Sequence, residues 1–139
     1  MRFMVIVKAT AQSESGILPD SKLLEAMGAF NEQLANAGVL LAAEGLQPSS
    51  KGSRLRFTGE RPLAVDGPFA ETKELIAGFW IIQATSKDEA IAWLVRCPFE
   101  NGEEIEIRQI YEAEDFGPAL TPEMREQEDR LRANITLNE

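Results

Sequence analysis

The chain has 139 residues, 44% of them hydrophobic, enough for one compact domain and too few for two ordinary ones. Its 14 Lys and Arg stand against 23 Asp and Glu, a formal charge of -9, which disfavours generic attraction to nucleic acid or anionic lipid, so neither is an expected partner. There is no His and only one Cys, Cys97, which removes Ser-His-Asp and Cys-His triads, His-metal sites and any internal disulfide, and makes a reducing cytoplasm the expected location.

Residues 3–8, Phe-Met-Val-Ile-Val-Lys, are apolar on both alternating faces, the pattern of a central strand. The run is too short for a signal-peptide core of roughly 7 to 15 residues. After a polar stretch over 10–16, Leu23, Leu24, Met27, Phe30 and Leu34 recur at helical spacing, and Gly38 stands where a C-terminal glycine cap belongs. Residues 39–46 offer a second strand, and the turn chemistry of 47–52 ends it. Residues 54–57 then alternate, 58–62 break the pattern and 63–65 return, which reads as an inserted hairpin.

Residues 76–84 are the most strand-like run, again apolar on both faces. The nearly unbroken apolar stretch 75–82 is far below the roughly 18 to 20 residues that span a bilayer. Ser86 and Glu89 form a capping-box pattern that starts a second helix, with Ala90, Ile91, Trp93, Leu94 and Val95 as its apolar face and Pro98 preventing continuation beyond Arg96. Residues 104–110 alternate as a half-covered last strand, with Ile105 and Ile107 toward the helices and Glu104, Glu106 and Arg108 away from them.

Without the hairpin the order is βαββαβ, a ferredoxin-like α+β arrangement whose first and third strands lie centrally. Two helices cover one sheet face, so a second subunit is expected over the other, giving a homodimer. Residues 1–111 read as this domain and 112–139 as an acidic extension with eight acidic and three basic side chains. In that extension, Thr121-Pro122-Glu123 sets a helix start, and Met124, Leu131 and Ile135 make a thin apolar stripe.

Between the hairpin and the third main strand runs Val65-Asp66-Gly67-Pro68-Phe69-Ala70-Glu71-Thr72-Lys73-Glu74-Leu75-Ile76-Ala77-Gly78-Phe79. The segment resembles the signature of the YCII-related family, in particular its DGPF branch, in which Asp-Gly-Pro-Phe precedes a Lys-Glu pair and a Gly-Phe strand. The resemblance extends over the first strand, the Pro98 region and residues 104–108, and leaves the acidic extension outside it. It implies a dimeric α+β barrel and, for DGPF members, association with bacterial extracytoplasmic-function sigma factors, so a sigma factor or another regulatory protein is an implied partner. Members of the family are credited with a His and an Asp in a cleft at the open sheet face, acting as acid and base. This chain has no His, so only the Asp carries over, onto Asp66.

Asp66-Gly67-Pro68 also reads as a plain turn, with a carboxylate that accepts from backbone N–H groups, a permissive Gly and a fixed Pro. As an acid or base, Asp66 would need burial or a neighbouring carboxylate, Glu71 or Glu74, to raise its pKa. Glu71, Thr72, Lys73 and Glu74 read either as a solvated charged loop or as a lid over a polar ligand, with Phe69 beside it. Arg108 reads either as a fork for a ligand carboxylate or as a structural ion-pair partner. Cys97 reads as core filler, and Trp80 and Trp93 as core. The ten glycines never lie closer than seven residues apart, and no calcium-loop spacing occurs, so neither a cofactor nor a metal is expected. Two functions stay open: binding of a small polar metabolite near the turn, with or without proton transfer, and a non-catalytic accessory module that binds a regulatory protein.

Overall fold

A computed structural model describes residues 1–137, so Asn138 and Glu139 of the acidic extension lie outside the described residues. The chain divides into two compact units, Met1–Gln109 and Ile110–Glu139.

The first unit holds β1 (Arg2–Lys8), α1 (Ala11–Glu14), α2 (Ser21–Asn36), β2 (Leu40–Gly45), β3 (Ser53–Thr58), β4 (Arg61–Asp66), β5 (Ile76–Gln83), α3 (Lys87–Leu94) and β6 (Ile105–Gln109). Four strands form an antiparallel sheet in the order β2-β5-β1-β6, and β3 pairs only with β4. The central strands are β1 and β5, the two whose sequences are apolar on both faces. Registered rows put Phe3 beside Ile82 and Val5 beside Trp80 and Ile107, all on one face. Phe30 and Leu34 of α2 and Ala90 and Leu94 of α3 complete the core on that face. Phe3, Val5, Leu34 and Ile82 are essentially sealed from solvent, each contributing about 1.5–3 kcal/mol of burial. The opposite face carries Met4 beside Arg108 and Ile6 beside Glu106 and Phe79. Ile6 is buried and Met4, Phe79 and Ile81 are half-buried within the single chain.

Several local expectations shift. The polar stretch after β1 folds into α1, because the Thr10 hydroxyl accepts from Ser13 N–H and the Ser13 hydroxyl accepts from Thr10 N–H. Helix α2 starts on Asp20, whose carboxylate accepts from Leu23 N–H at 2.8 Å, and ends before Gly38 at φ 72°. The hairpin turns more tightly than its sequence suggests. Arg61 and Pro62 join β4 opposite Thr58 and Phe57, and Gly59 supplies the positive φ; Pro62 fits because a two-stranded ribbon has free edges. At α3, Ser86 accepts from Glu89 N–H, but the Glu89 carboxylate caps Thr85 rather than Ser86. The helix stops at Leu94, leaving Val95 exposed.

The second unit contains a 3-10 turn over Ala113–Ala119 and α4 (Pro122–Leu137). Thr121 accepts from Met124 N–H, Pro122 occupies the first turn, and Arg125 pairs with Glu114 at 2.7 Å. No helix among the described residues is long and apolar enough to cross a membrane.

Candidate functional site

The Asp66–Phe69 turn leaves β4 and docks on the connection between β2 and β3. The Gly67–Pro68 bond is cis. Gly67 N–H donates to Gly52 C=O at 3.0 Å, and a Cβ on Gly67 would stand 1.9 Å from the Ser49 carbonyl oxygen. Glycine is required there by this close approach of two backbones; the positive φ of the segment falls instead on Glu71, at 66°. Phe69 N–H donates to the Ser49 hydroxyl, which in turn donates to the Glu14 carboxylate. Ser49 N–H adds a second bond to the same carboxylate at 2.9 Å. These bonds, the hydroxyl first, hold the Glu14 carboxyl below its ordinary range. The Arg54 guanidinium lies 3.9 Å from the centroid of the Phe69 ring.

Asp66 is exposed and accepts from the Ser53 hydroxyl at 2.6 Å across the hairpin base, not from the backbone of its own turn. Glu71, Lys73 and Glu74 are exposed as well, around the 3-10 turn Thr72–Glu74. Arg108 sits on β6, 3.9 Å from Glu106, which pairs more closely with Lys8 at 3.3 Å. The turn therefore ties Gly67 and Phe69 to the Ser49–Gly52 segment and Asp66 to Ser53, while Arg108 stands on the edge strand β6, on the far side of β1 from β5.

A cavity of about 320 Å³ opens between α2 and the sheet, lined by Leu23, Leu24, Met27 and Asn31 above and by Val7, Ala43, Gly45, Gly78 and Trp80 below, with Phe99 and Pro19 at its sides. Its floor follows from register. Gly45, Gly78 and Val7 stand in one row across β2, β5 and β1, so two of three adjacent positions carry no side chain beneath the helix. A Cβ on Gly78 would meet Glu44 C=O at 2.8 Å, whereas one on Gly45 would meet nothing within 4 Å. Trp80 fixes one wall: its ring meets Phe30 and Phe99 edge-on at 5.9 and 6.0 Å, and its Nε1–H donates to Asn31 Oδ1 at 2.7 Å. Asn31 spends its carbonyl on that bond, which leaves the amide N–H groups as the donors of the lining. A neighbouring cavity of about 480 Å³ shares Pro19 and Leu23 and is edged by Asp20, Lys22, Glu100 and Glu103.

None of Asp66, Phe69, Glu71, Lys73, Glu74 and Arg108 lines either cavity, whereas Gly78 and Phe79 line the smaller one. Sequence reasoning passed over Glu14, Ser49, Asn31 and Gly45. The Thr10-x-x-Ser13 pattern was the available signal for α1 and thus for Glu14; Asn31 and Gly45 depend on helix facing and strand register, which no local motif encodes. Cys97 is half-buried at the core margin, and burial pushes its thiol up to about 11, so it stays protonated and unreactive near neutrality. No group of three metal-binding side chains occurs among the described residues.

An uncharacterised protein of Rhizobium meliloti (strain 1021) is 35% identical over 72 residues, 52% of this chain, and the match spans 58% of that relative's length. Among solved structures, a 5-chloro-2-hydroxyhydroquinone dehydrochlorinase from Burkholderia phenoliruptrix AC1100, in complex with 2,5-dihydroxybenzoquinone, aligns with 81% of this chain and 96% of its own at 16% identity and a TM-score of 0.40. At that score the likeness carries no chemistry from one protein to the other. The family model described as the YCII-related domain matches residues 1–114, and on that match the chain belongs to the YCII-related family.

Proposed function

We propose that this protein binds a small, mainly apolar molecule in the cavity between α2 and the sheet, with the Asn31 amide as its polar anchor and the Asp66–Phe69 turn as a clasp that sets the position of β5. One observation carries the reading: the glycine pair Gly45 and Gly78 leaves an aromatic-walled space of about 320 Å³ beneath α2, within the range of small-ligand sites. Asp66 supports this division of labour, since it is exposed, bonded to Ser53 and absent from the lining. Glu44 is the one titratable residue on that lining, so the reading is of binding and positioning and invokes no acid-base pair.

The test is a thermal-shift screen of neutral small molecules against the wild type and Gly45→Leu, whose side chain would enter the cavity from its floor. A ligand at about 100 times its dissociation constant adds about 2.7 kcal/mol, raising the midpoint by roughly 5 to 11 °C in a domain of this size. The expected result is hits on the wild type that vanish in Gly45→Leu while its own midpoint stays close to wild type. Hits that survive in Gly45→Leu place the ligand elsewhere and overturn the reading, as does a screen without hits.

A further inference from the structure

Four asparagines lie among the described residues, and one of them stands apart from the rest. Asn31 and Asn36 belong to α2 and Asn134 to α4. In a helix the N–H of the following residue is tied to a carbonyl one turn back, as Ala37 N–H is to Gln33 C=O at 3.1 Å, and the regular backbone holds that nitrogen away from the asparagine side chain. The Asn31 carboxamide is further fixed by its bond from Trp80 Nε1–H.

Asn101 lies instead between α3 and β6, in the turn Glu100-Asn101-Gly102-Glu103. Glu103 N–H closes this turn on Glu100 C=O at 3.2 Å, and Glu100 N–H donates to the Glu103 carboxylate at 2.7 Å. Gly102 takes φ 94°, which glycine adopts without steric cost at the third place of a turn. Asn101 and Gly102 are both exposed, and neither the Asn101 carboxamide nor the Gly102 N–H makes a hydrogen bond within the described residues. A Cβ on Gly102 would meet nothing within 4 Å, so open space surrounds the pair.

We infer that Asn101 is a site of spontaneous deamidation, at which the backbone nitrogen of Gly102 attacks the side-chain carbonyl carbon of Asn101. The new C–N bond closes a five-membered succinimide; the Gly102 nitrogen gives up its proton and the carboxamide nitrogen leaves as ammonia. Water then opens the ring at either carbonyl, giving aspartate or an isoaspartate whose backbone runs through the side-chain carbon. The sum is asparagine and water to acid and ammonia, with no oxidant or cofactor. Glycine favours closure because no side chain crowds the attacking nitrogen and its backbone turns freely. One backbone bond and one side-chain bond hold the turn, so it opens at far lower cost than a helix interior. Each event adds one negative charge to a chain of formal charge -9, beside Glu100 and Glu103, which edge the larger cavity with Asp20 and Lys22.

Incubation of the full chain at mildly alkaline pH, followed by isoelectric focusing and mass spectrometry of tryptic peptides, tests the inference, with Asn101→Gln as the control. Residues 97–108, released by cleavage after Arg96 and Arg108, contain Asn101 as their only side-chain amide. The expected result is a more acidic form that accumulates in the wild type and not in Asn101→Gln, whose longer side chain would need a six-membered ring. The 97–108 peptide then carries the mass gain of amide to acid, partly as isoaspartate, and Asn101 reacts about tenfold or more faster than Asn36 or Asn134, a difference of about 1.4 kcal/mol in barrier. An amide that persists at Asn101 in the folded chain while the guanidinium-unfolded chain loses it overturns the proposal, because the turn then protects the residue. An acidic form equally abundant in Asn101→Gln places the reaction elsewhere and overturns it too. So does a product free of isoaspartate, which would mean direct hydrolysis without the ring.

Discussion

A methyl group on Gly67 would stand 1.9 Å from a backbone oxygen of Ser49, while one on Gly45 would meet nothing within 4 Å. Both glycines flank the same stretch of chain, one in the turn that leads toward β5 and the other across from β5 on β2. At the turn, glycine lets two backbones touch and a hydrogen bond form between Gly67 and Gly52; at the sheet end, Gly45 and Gly78 leave two adjacent positions without side chains under α2. The difference teaches that the Asp-Gly-Pro-Phe turn is a packed joint and that the open space under α2 lies elsewhere, over β2 and β5. A conspicuous motif and a cavity are separate products of neighbouring parts of the chain.

Gly67→Ala attacks the joint directly and has the largest expected effect. The clash is with backbone on both sides and cannot be relieved by a rotamer, so a loss of about 3 kcal/mol or more in unfolding free energy is expected. Urea denaturation measures it, and a loss below about 1 kcal/mol would show that the turn and the Ser49 segment are not tightly joined. The cavity floor gives the contrasting pair. Gly78→Ala forces its methyl to 2.8 Å from Glu44 C=O and is expected to cost about 1–3 kcal/mol. Gly45→Ala, with open space around it, is expected to change stability by less than about 1 kcal/mol in the stabilising direction. Equal costs at the two positions would remove the distinction between a packed and an open glycine.

Glu71→Gly is expected to be mildly stabilising. A non-glycine residue at φ 66° carries a backbone cost of about 1–2 kcal/mol; glycine relieves that cost but gains freedom in the unfolded chain. The net expectation is a gain of about 0.5–1 kcal/mol by thermal or urea unfolding. A loss on this substitution would mean that the Glu71 side chain holds the segment in a way its exposed position does not suggest.

Much of the fold was legible because the central strands advertise themselves: residues 3–8 and 76–84 are apolar on both faces, and the structure puts β1 and β5 in the middle of the sheet. The helix faces were partly legible. Phe30 and Leu34 are buried as their spacing predicts, but Leu24 on α2 and Ile91 on α3 stay exposed, because each helix buries a narrower stripe than its sequence offers, and Val95 is exposed because it lies past the end of α3. The candidate site was legible only as an address. The motif segment reaches the cavity only through Gly78 and Phe79, while Gly45, Asn31 and Val7 come to it from three other elements through register and helix rotation. Ser49, the hub of the clasp, looked like an ordinary turn residue because its partners Glu14 and Phe69 lie 35 and 20 positions away.

The smallest expected effect concerns the acid limb of that clasp. The Glu14 carboxylate accepts from the hydroxyl and the N–H of Ser49, and both bonds favour its charged form, so its folded pKa lies below the value in the unfolded chain. A depressed carboxyl pKa contributes stability that is fully present above the unfolded pKa of about 4.3 and is lost as pH falls through the lower folded value. Glu14→Gln keeps the size of the side chain and removes the titration. The wild type is therefore expected to melt higher than Glu14→Gln at pH 7, with the gap closing between about pH 4.3 and more acidic conditions. A gap that stays constant down to pH 3 would mean that Glu14 acts through shape alone, and it would confine the polar strength of the joint to the Phe69–Ser49 bond and the backbone approach at Gly67.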